Sequence, residues 1–250
     1  MRYSETERKK RGKRKKKHYF LNVSIAILVI LGLWFLGFRS GVFDIHRLDV
    51  QNNVHYTAAQ AAELTGVSIG DNIFRTRVSE VEERLEKDPY IRSAEVEWDL
   101  PDGLAIVLEE RTENILIEYA EGYIILDFDG EILRLTQEAP ILPIIVGLTP
   151  IGPAPGTPMK AEEAGQLKPG LDFFKFASEH DFYIKKLDLG SVIPRAYVFD
   201  RLVIEGDLGN IEKGMNEIKR VIADLDSKGI ERGTLSVGGN GTCSFTPELR

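Results

Sequence analysis

The sequence predicts an α+β protein that begins with a single N-terminal transmembrane helix, continues as a β-α-α-β-β domain and ends as a mostly antiparallel β domain with helices. Three observations predict this. Residues 19–38 form one apolar run with no charged side chain. Residues 43–112 carry a strand, a capped helix, a second helix and two alternating strands in that order. From 113 to 250 short alternating runs, turn signals and one long amphipathic helix take over.

The 21 residues from His18 to Phe38 are uncharged. At about 1.5 Å per helical residue they reach roughly the 30 Å hydrocarbon thickness of a bilayer, with Phe20, Ile27, Leu31, Trp34 and Phe38 spread along the span. A cleaved signal peptide needs a shorter apolar region ending in a small-x-small site, whereas Phe38, Arg39 and Ser40 follow here. Residues 1–18 carry ten Lys/Arg against two Glu, or +8, and the rest of the chain has 22 basic and 37 acidic residues, or −15. Basic residues flanking a span stay in the cytoplasm, so the N-terminus is expected inside and some 210 residues outside. The basic tail also suits anionic membrane lipids. Nucleic-acid binding is not expected, because the tail lacks aromatic interleaving before His18 and has no fold. Cys243 is the only cysteine, which excludes an intramolecular disulfide.

Beyond the span, Ile45, Leu48 and Val50 fit a short strand. Thr57-Ala58-Ala59-Gln60 has the form of a capping box, and a helix from there ends at Gly66. A second helix over about Thr76 to Lys87 aligns Val78, Val81 and Leu85, and Pro89 stops it. Ala94, Val96, Trp98 and Leu100 alternate, Pro101-Asp102-Gly103 turns, and Leu104, Ile106 and Leu108 alternate again. Downstream, strands are predicted at Ile115 to Ile117, Tyr123 to Leu126 and Ile132 to Leu135, with a hairpin signal at Asp129-Gly130. Asp172 to Glu179 reads as a short helix, and Tyr183 to Leu189 and Tyr197 to Ile204 as extended. Ile211, Met215, Ile218, Val221, Ile222 and Leu225 mark a long amphipathic helix with Asn210 as a possible cap and Gly229 as its stop. Thr234 to Val237 and Thr242 to Thr246 close the chain as short strands.

Several segments together resemble the POTRA domain of the FtsQ/DivIB family of bacterial cell-division proteins. They are Leu48-Asp49-Val50-Gln51-Asn52-Asn53, Gly66 to Phe74, Asp88-Pro89-Tyr90-Ile91 with Ala94 and Val96, Pro101, and Glu110-Arg111. Asp127-Phe128-Asp129-Gly130 with Ile132-Leu133, and Leu142 to Gly147, are similar to the start of that family's β domain. Two departures stand out: Asn52 replaces the family's turn glycine, and Thr112-Glu113-Asn114-Ile115 replaces a Pro- and Ala-containing junction. The resemblance implies a POTRA domain over 43–112 and a β domain over 113–250. It also implies a non-enzymatic bitopic scaffold at the division septum, with FtsL, DivIC/FtsB and, through them, the septal peptidoglycan synthase as partners. No cofactor is implied. The family places partner contacts in the C-terminal region, and there Thr234, Leu235, Ser236 and Val237 alternate as a half-buried pairing strand requires.

Apparent catalytic motifs have structural readings. Gly66-Val67-Ser68-Ile69-Gly70 has the form of a nucleophile elbow, but a helix precedes it where a strand is needed. Asp127-x-Asp129-Gly130 lacks the later ligands of a calcium loop. The strongest enzyme alternative is a membrane-anchored sortase-like cysteine transpeptidase using Cys243, His180 and Arg250, although no Thr-Leu-x-Thr precedes Cys243 directly.

Overall fold

The computed structural model describes residues 21–32, 35, 41–120 and 122–248. Residues 21–32 are helical (α1), and their described side chains are exposed all round, Leu28 and Ile30 by about two thirds. Among the described residues no helix is long and apolar enough to cross a membrane. Of the expected span, Ile27 and Leu31 fall on α1, while Phe20, Trp34 and Phe38 lie outside the described residues, as does the basic tail.

The described residues fall into two compact units, one within Met1–Leu85 with Ala94–Leu108 and one within Glu86–Ser93 with Glu109–Arg250. The first holds β1 (Arg47–Gln51), α2 (Ala58–Thr65) and α3 (Val78–Leu85), with most of β2 (Ile91–Asp99) and β3 (Gly103–Glu110). This is the expected element order. The sheet runs β1-β3-β2, with β1 parallel to β3, Leu48 opposite Leu104 and Val50 opposite Ile106. Chain order does not give that adjacency, since β3 inserts between the two earlier strands. The caps follow the sequence. The Thr57 hydroxyl accepts from the Gln60 amide, and the Gln60 side chain accepts from the Thr57 amide. Gly66 ends α2 in the left-handed region at φ +64. Asn52 takes φ +62, the conformation the family's glycine would supply. Ile45, Ala61, Ile73, Val81, Leu85, Leu104 and Ile106 form the core of this unit.

A Cβ on Gly66 would stand 2.6 Å from Nη1 of Arg84, the group that donates to the Thr65 carbonyl at 2.7 Å. Gly66→Ala is therefore expected to cost about 1–2 kcal/mol from the left-handed backbone alone. A lowered thermal midpoint by circular dichroism checks it, and an unchanged midpoint contradicts it.

The second unit is built on a nine-stranded sheet in the order β12-β11-β10-β9-β8-β7-β4-β5-β6. Its strands are β4 (Ile115–Tyr119), β5 (Gly122–Leu126), β6 (Ile132–Thr136), β7 (Ile144–Val146), β8 (Lys186–Asp188), β9 (Arg195–Tyr197), β10 (Leu202–Glu205), β11 (Gly233–Val237) and β12 (Cys243–Pro247), with helices α4 (Ala164–Glu179) and α5 (Leu208–Ser227). Five of the eight neighbouring pairs are antiparallel; β4/β7, β7/β8 and β10/β11 are parallel. Parallel neighbours need a crossover, which α4 supplies between β7 and β8 and α5 between β10 and β11. One apolar core joins Ile115, Ile117, Ile145, Phe173, Phe174, Ile204, Ile211, Met215, Ile218 and Leu235.

Three local expectations change. Helix α4 starts at Ala164 and not Asp172, running through Pro169 because Leu167, Leu171, Phe173 and Phe174 all pack into the core. Burial there outweighs the one missing amide. The segment read as extended from Tyr197 to Ile204 is two antiparallel strands, with Val203 opposite Tyr197, reversing through residues 198–201. Helix α5 begins after Asp207, whose side chain makes no capping hydrogen bond, and Asn210 lies inside the helix.

Candidate functional site

The end of the sheet formed by β10, β11 and β12 positions the strand singled out by the sequence. Thr234, Leu235, Ser236 and Val237 lie on β11, and the alternation holds: Leu235 and Val237 are buried, Thr234 and Ser236 half-buried. Its backbone is not available to a partner, however. β10 pairs with β11 on one side, with Val203 opposite Thr234, and β12 pairs on the other, with Ser236 opposite Ser244. Pairing through β11 itself is thereby corrected. The sheet's end lies one strand later, because the Gly-rich turn at 238–241 folds the chain back outside β11.

Two hydrogen bonds fix which backbone groups face where. The Gly233 amide donates toward β10, to the Arg201 carbonyl at 3.0 Å, and the Gly238 amide donates toward β12, to the Thr242 carbonyl at 2.9 Å. Backbone groups alternate sides along a strand. The amides of Thr234 and Ser236 therefore face β12, and those of Ser244 and Thr246 face β11. On β12 the outward groups belong to Cys243, Phe245 and Pro247, and among the described strands none pairs with that edge. Proline sits at an outward position, where its missing amide costs no ladder bond. The turn is held from below: a Cβ on Gly214 of α5 would come within 2.9 Å of the Gly241 carbonyl, so only glycine lets helix and turn approach this closely. The inward face of β12 rests on the core through the half-buried Cys243 and Phe245, while Ser244 and Thr246 are exposed.

The opposite edge is blunted. At the start of β6 the Ile132 amide donates to the Thr157 carbonyl at 3.0 Å, and the Ile132 carbonyl accepts from Gly156 at 2.8 Å, so the loop at 156–159 covers that edge.

A polar cluster in the second unit was visible in the sequence only as a hairpin turn. Asp127 is buried at 1 % exposure. Its Oδ1 accepts from the Asp129 and Glu131 amides at 3.0 and 2.8 Å, shaping the β5–β6 turn. Its Oδ2 accepts from Arg111 at 2.6 Å and from Arg92 at 3.4 Å. Arg92 also pairs with Asp129, and Lys175 approaches Asp129 at 3.6 Å. Nearby, Tyr90 donates to Glu113 at 2.7 Å, and Arg134 donates to the same carboxylate at 2.6 and 3.1 Å. Burial, then the Glu113 carboxylate, pushes the Tyr90 phenol up to about 12. Because the folded-state value is raised, this contribution to stability is full below the ordinary value near 10 and is lost as pH rises toward 12.

Catalytic readings gain no support. Burial, then the Glu217 charge, pushes the Cys243 thiol up, opposite to what an activated nucleophile needs. Its Sγ contacts the Gly241 carbonyl at 3.7 Å. The His180 ring stacks on Phe176, with Nδ1 2.8 Å from the Phe176 carbonyl. Arg250 lies outside the described residues. Ser68 sits in a turn after α2, its amide donating to Asp71. A 780 Å³ cavity beside Gly130 is lined by Phe128, Asp129, Leu167, Leu171, Asp172 and Lys175, and among the described residues no Ser, Thr, Cys or His lines it. Among the described residues no group of three or more His, Cys, Asp or Glu side chains is placed to hold a metal ion. Cys243→Ala is expected to leave cell division intact in a complementation assay, since the thiol contributes a half-buried contact worth about 1 kcal/mol or less. Loss of division with normal protein levels would revive the transpeptidase reading.

Residues 43–111 match the family model described as the POTRA domain, FtsQ-type. The chain is 24 % identical over 243 residues to the cell division protein DivIB of Clostridium botulinum, covering 95 % of this chain and 93 % of that protein. It is 31 % identical over 113 residues to the cell division protein FtsQ of Syntrophotalea carbinolica, covering 44 % of this chain and 40 % of that protein. It is 29 % identical over 160 residues to DivIB of Bacillus cytotoxicus, covering 64 % and 59 %.

Proposed function

The chain belongs to the FtsQ/DivIB family of bacterial cell-division proteins, and from that premise we propose that it is a non-enzymatic, single-pass scaffold that binds other division proteins by strand addition at β12. The observation that carries the reading is the outer edge of β12, which no other described strand pairs, with the Cys243 and Phe245 backbones facing outward beside a well-packed sheet end. A partner segment laid there would gain main-chain hydrogen bonds without any rearrangement of the domain. The four residues Thr234, Leu235, Ser236 and Val237 then serve as the strand that holds the docking strand in place. The partners in this reading are FtsL and DivIC/FtsB, and through them the septal peptidoglycan synthase. The parts are a cytoplasmic tail at 1–18, a membrane span at 19–38 in contact with lipid, a POTRA domain at 43–112 and a β domain at 113–250 at the septum. The uncharged run, the +8 flank and the all-round exposed apolar helix support the anchor.

Purification of the full chain from membranes tests the reading. FtsL and DivIC/FtsB are expected to co-purify, and recovery of the chain without them contradicts a scaffold role. In the same cells Cys243, denatured in place, is expected to react with a membrane-impermeant maleimide before lysis; reaction only after lysis contradicts the topology.

A further inference from the structure

We infer that the ring stack Phe43–Phe74–Trp98 of the first unit rests on the outer lipid surface, so that this unit is seated on the membrane and not merely tethered to it. The inference depends on the membrane-anchor reading above. The rings of Phe43 and Phe74 lie 5.1 Å apart at 58°, and those of Phe74 and Trp98 lie 5.8 Å apart, edge to face at 78°. Trp98 continues the alternating register that buries Ala94 and Val96, so the sequence pattern would place it in a core. Instead it is 47 % exposed and Phe74 is 40 % exposed, with Val42 and Leu100 more than half exposed. Single exposed apolar residues are ordinary, but a contiguous aromatic stack of this kind marks a surface that something covers.

The chain's own connectivity says what covers it. The Ile73 amide donates to the Phe43 carbonyl at 2.9 Å, the Ile45 amide to the Asp71 carbonyl at 2.7 Å, and Asp44 bridges to Asn72. These bonds fasten the segment at 43–45 along the loop at 70–73 and hold Phe74 beside Phe43. Phe43 follows the last residue of the expected span, Phe38, by five positions. Five residues extend at most about 18 Å, while the polar layer outside the hydrocarbon core is itself about 5–8 Å thick. That tether holds Phe43 within about 18 Å of the hydrocarbon edge, close enough for the ring stack to reach the bilayer surface. Tryptophan and other amphipathic rings favour that depth, with the ring plane against acyl chains and the indole N–H toward water. Exposed Arg75 directly follows Phe74 and supplies a cation for lipid phosphates.

The two tryptophans separate this inference from the anchor on which it depends. The full chain is reconstituted into phosphatidylglycerol-containing vesicles as Trp34→Phe, leaving Trp98 as the sole indole, and as Trp98→Phe, leaving Trp34. Trp98 is expected to lose roughly half its fluorescence with a quencher placed at headgroup depth, as an interfacial indole should. Trp34 is expected to be quenched by brominated acyl chains. Quenching of Trp34 with none at Trp98 overturns the inference and leaves the anchor standing. Absence of both overturns the anchor and the inference with it. A Trp98 signal that follows protein density per vesicle and ignores the quencher assigns the stack to a second copy of the chain and overturns lipid seating.

Discussion

Asp127→Ala is expected to destabilise the second unit by about 3–5 kcal/mol, the usual consequence of removing one partner from a buried ion pair. The effect has two sources. The Arg111 guanidinium, itself only 18 % exposed, loses a carboxylate 2.6 Å away and is left without its closest counter-charge. The Asp129 and Glu131 amides, which both donate to Oδ1, lose the acceptor that shapes the β5–β6 turn. Asp127→Asn keeps an oxygen for the two amides but not the charge, so it is expected to fall between wild type and Asp127→Ala. Urea unfolding followed by circular dichroism ranks the three. A loss below about 1 kcal/mol for Asp127→Ala would mean that the pair had been no better than solvated surface ions.

Two proline substitutions one strand apart are expected to behave oppositely. The Ser236 amide faces β12, so Ser236→Pro removes a ladder donor between two strands of the same sheet and should cost on the order of 2–4 kcal/mol, unfolding the sheet end. Cys243→Pro acts on an outward amide in the same frame as the native Pro247, so the fold should survive. What it removes is a donor that a docking strand would use. The expected result is a folded Cys243→Pro protein that loses FtsL and DivIC/FtsB on co-purification, and a Ser236→Pro protein that melts early. A folded Cys243→Pro variant that retains both partners would exclude the β12 edge.

Much of the first unit was legible because its signals are local. Thr57 and Gln60 cap α2 over one turn, Gly66 stops it, and Asn52 takes the left-handed backbone that its side chain tolerates. Trp98 shows where local signals stop: alternation predicts a face, but not how far the covering helices reach. In the second unit, Pro169 hid half of α4 because a breaker is visible in sequence and the burial that overrides it is not. The same limit applies to the candidate site. Thr234 to Val237 were recognisable as a half-buried strand, but a strand's neighbours are set by pairing at a distance, and β12 arrives after them to occupy the outer position. Asp127 was readable as a turn residue, while its arginines lie 16 and 35 positions away in the chain. No spacing rule links them.

Hydrogen exchange resolved to single amides along β12, in the full chain with and without its partners, tests strand addition most directly. In the free protein the amides of Ser244 and Thr246 should exchange slowly because they pair with β11, and those of Cys243 and Phe245 should exchange fast because they face outward. Binding of FtsL and DivIC/FtsB should slow Cys243 and Phe245 by at least about tenfold, the effect of roughly 1.4 kcal/mol of added protection. Partners that bind while both outward amides keep exchanging at their free rate would contradict strand addition at this edge.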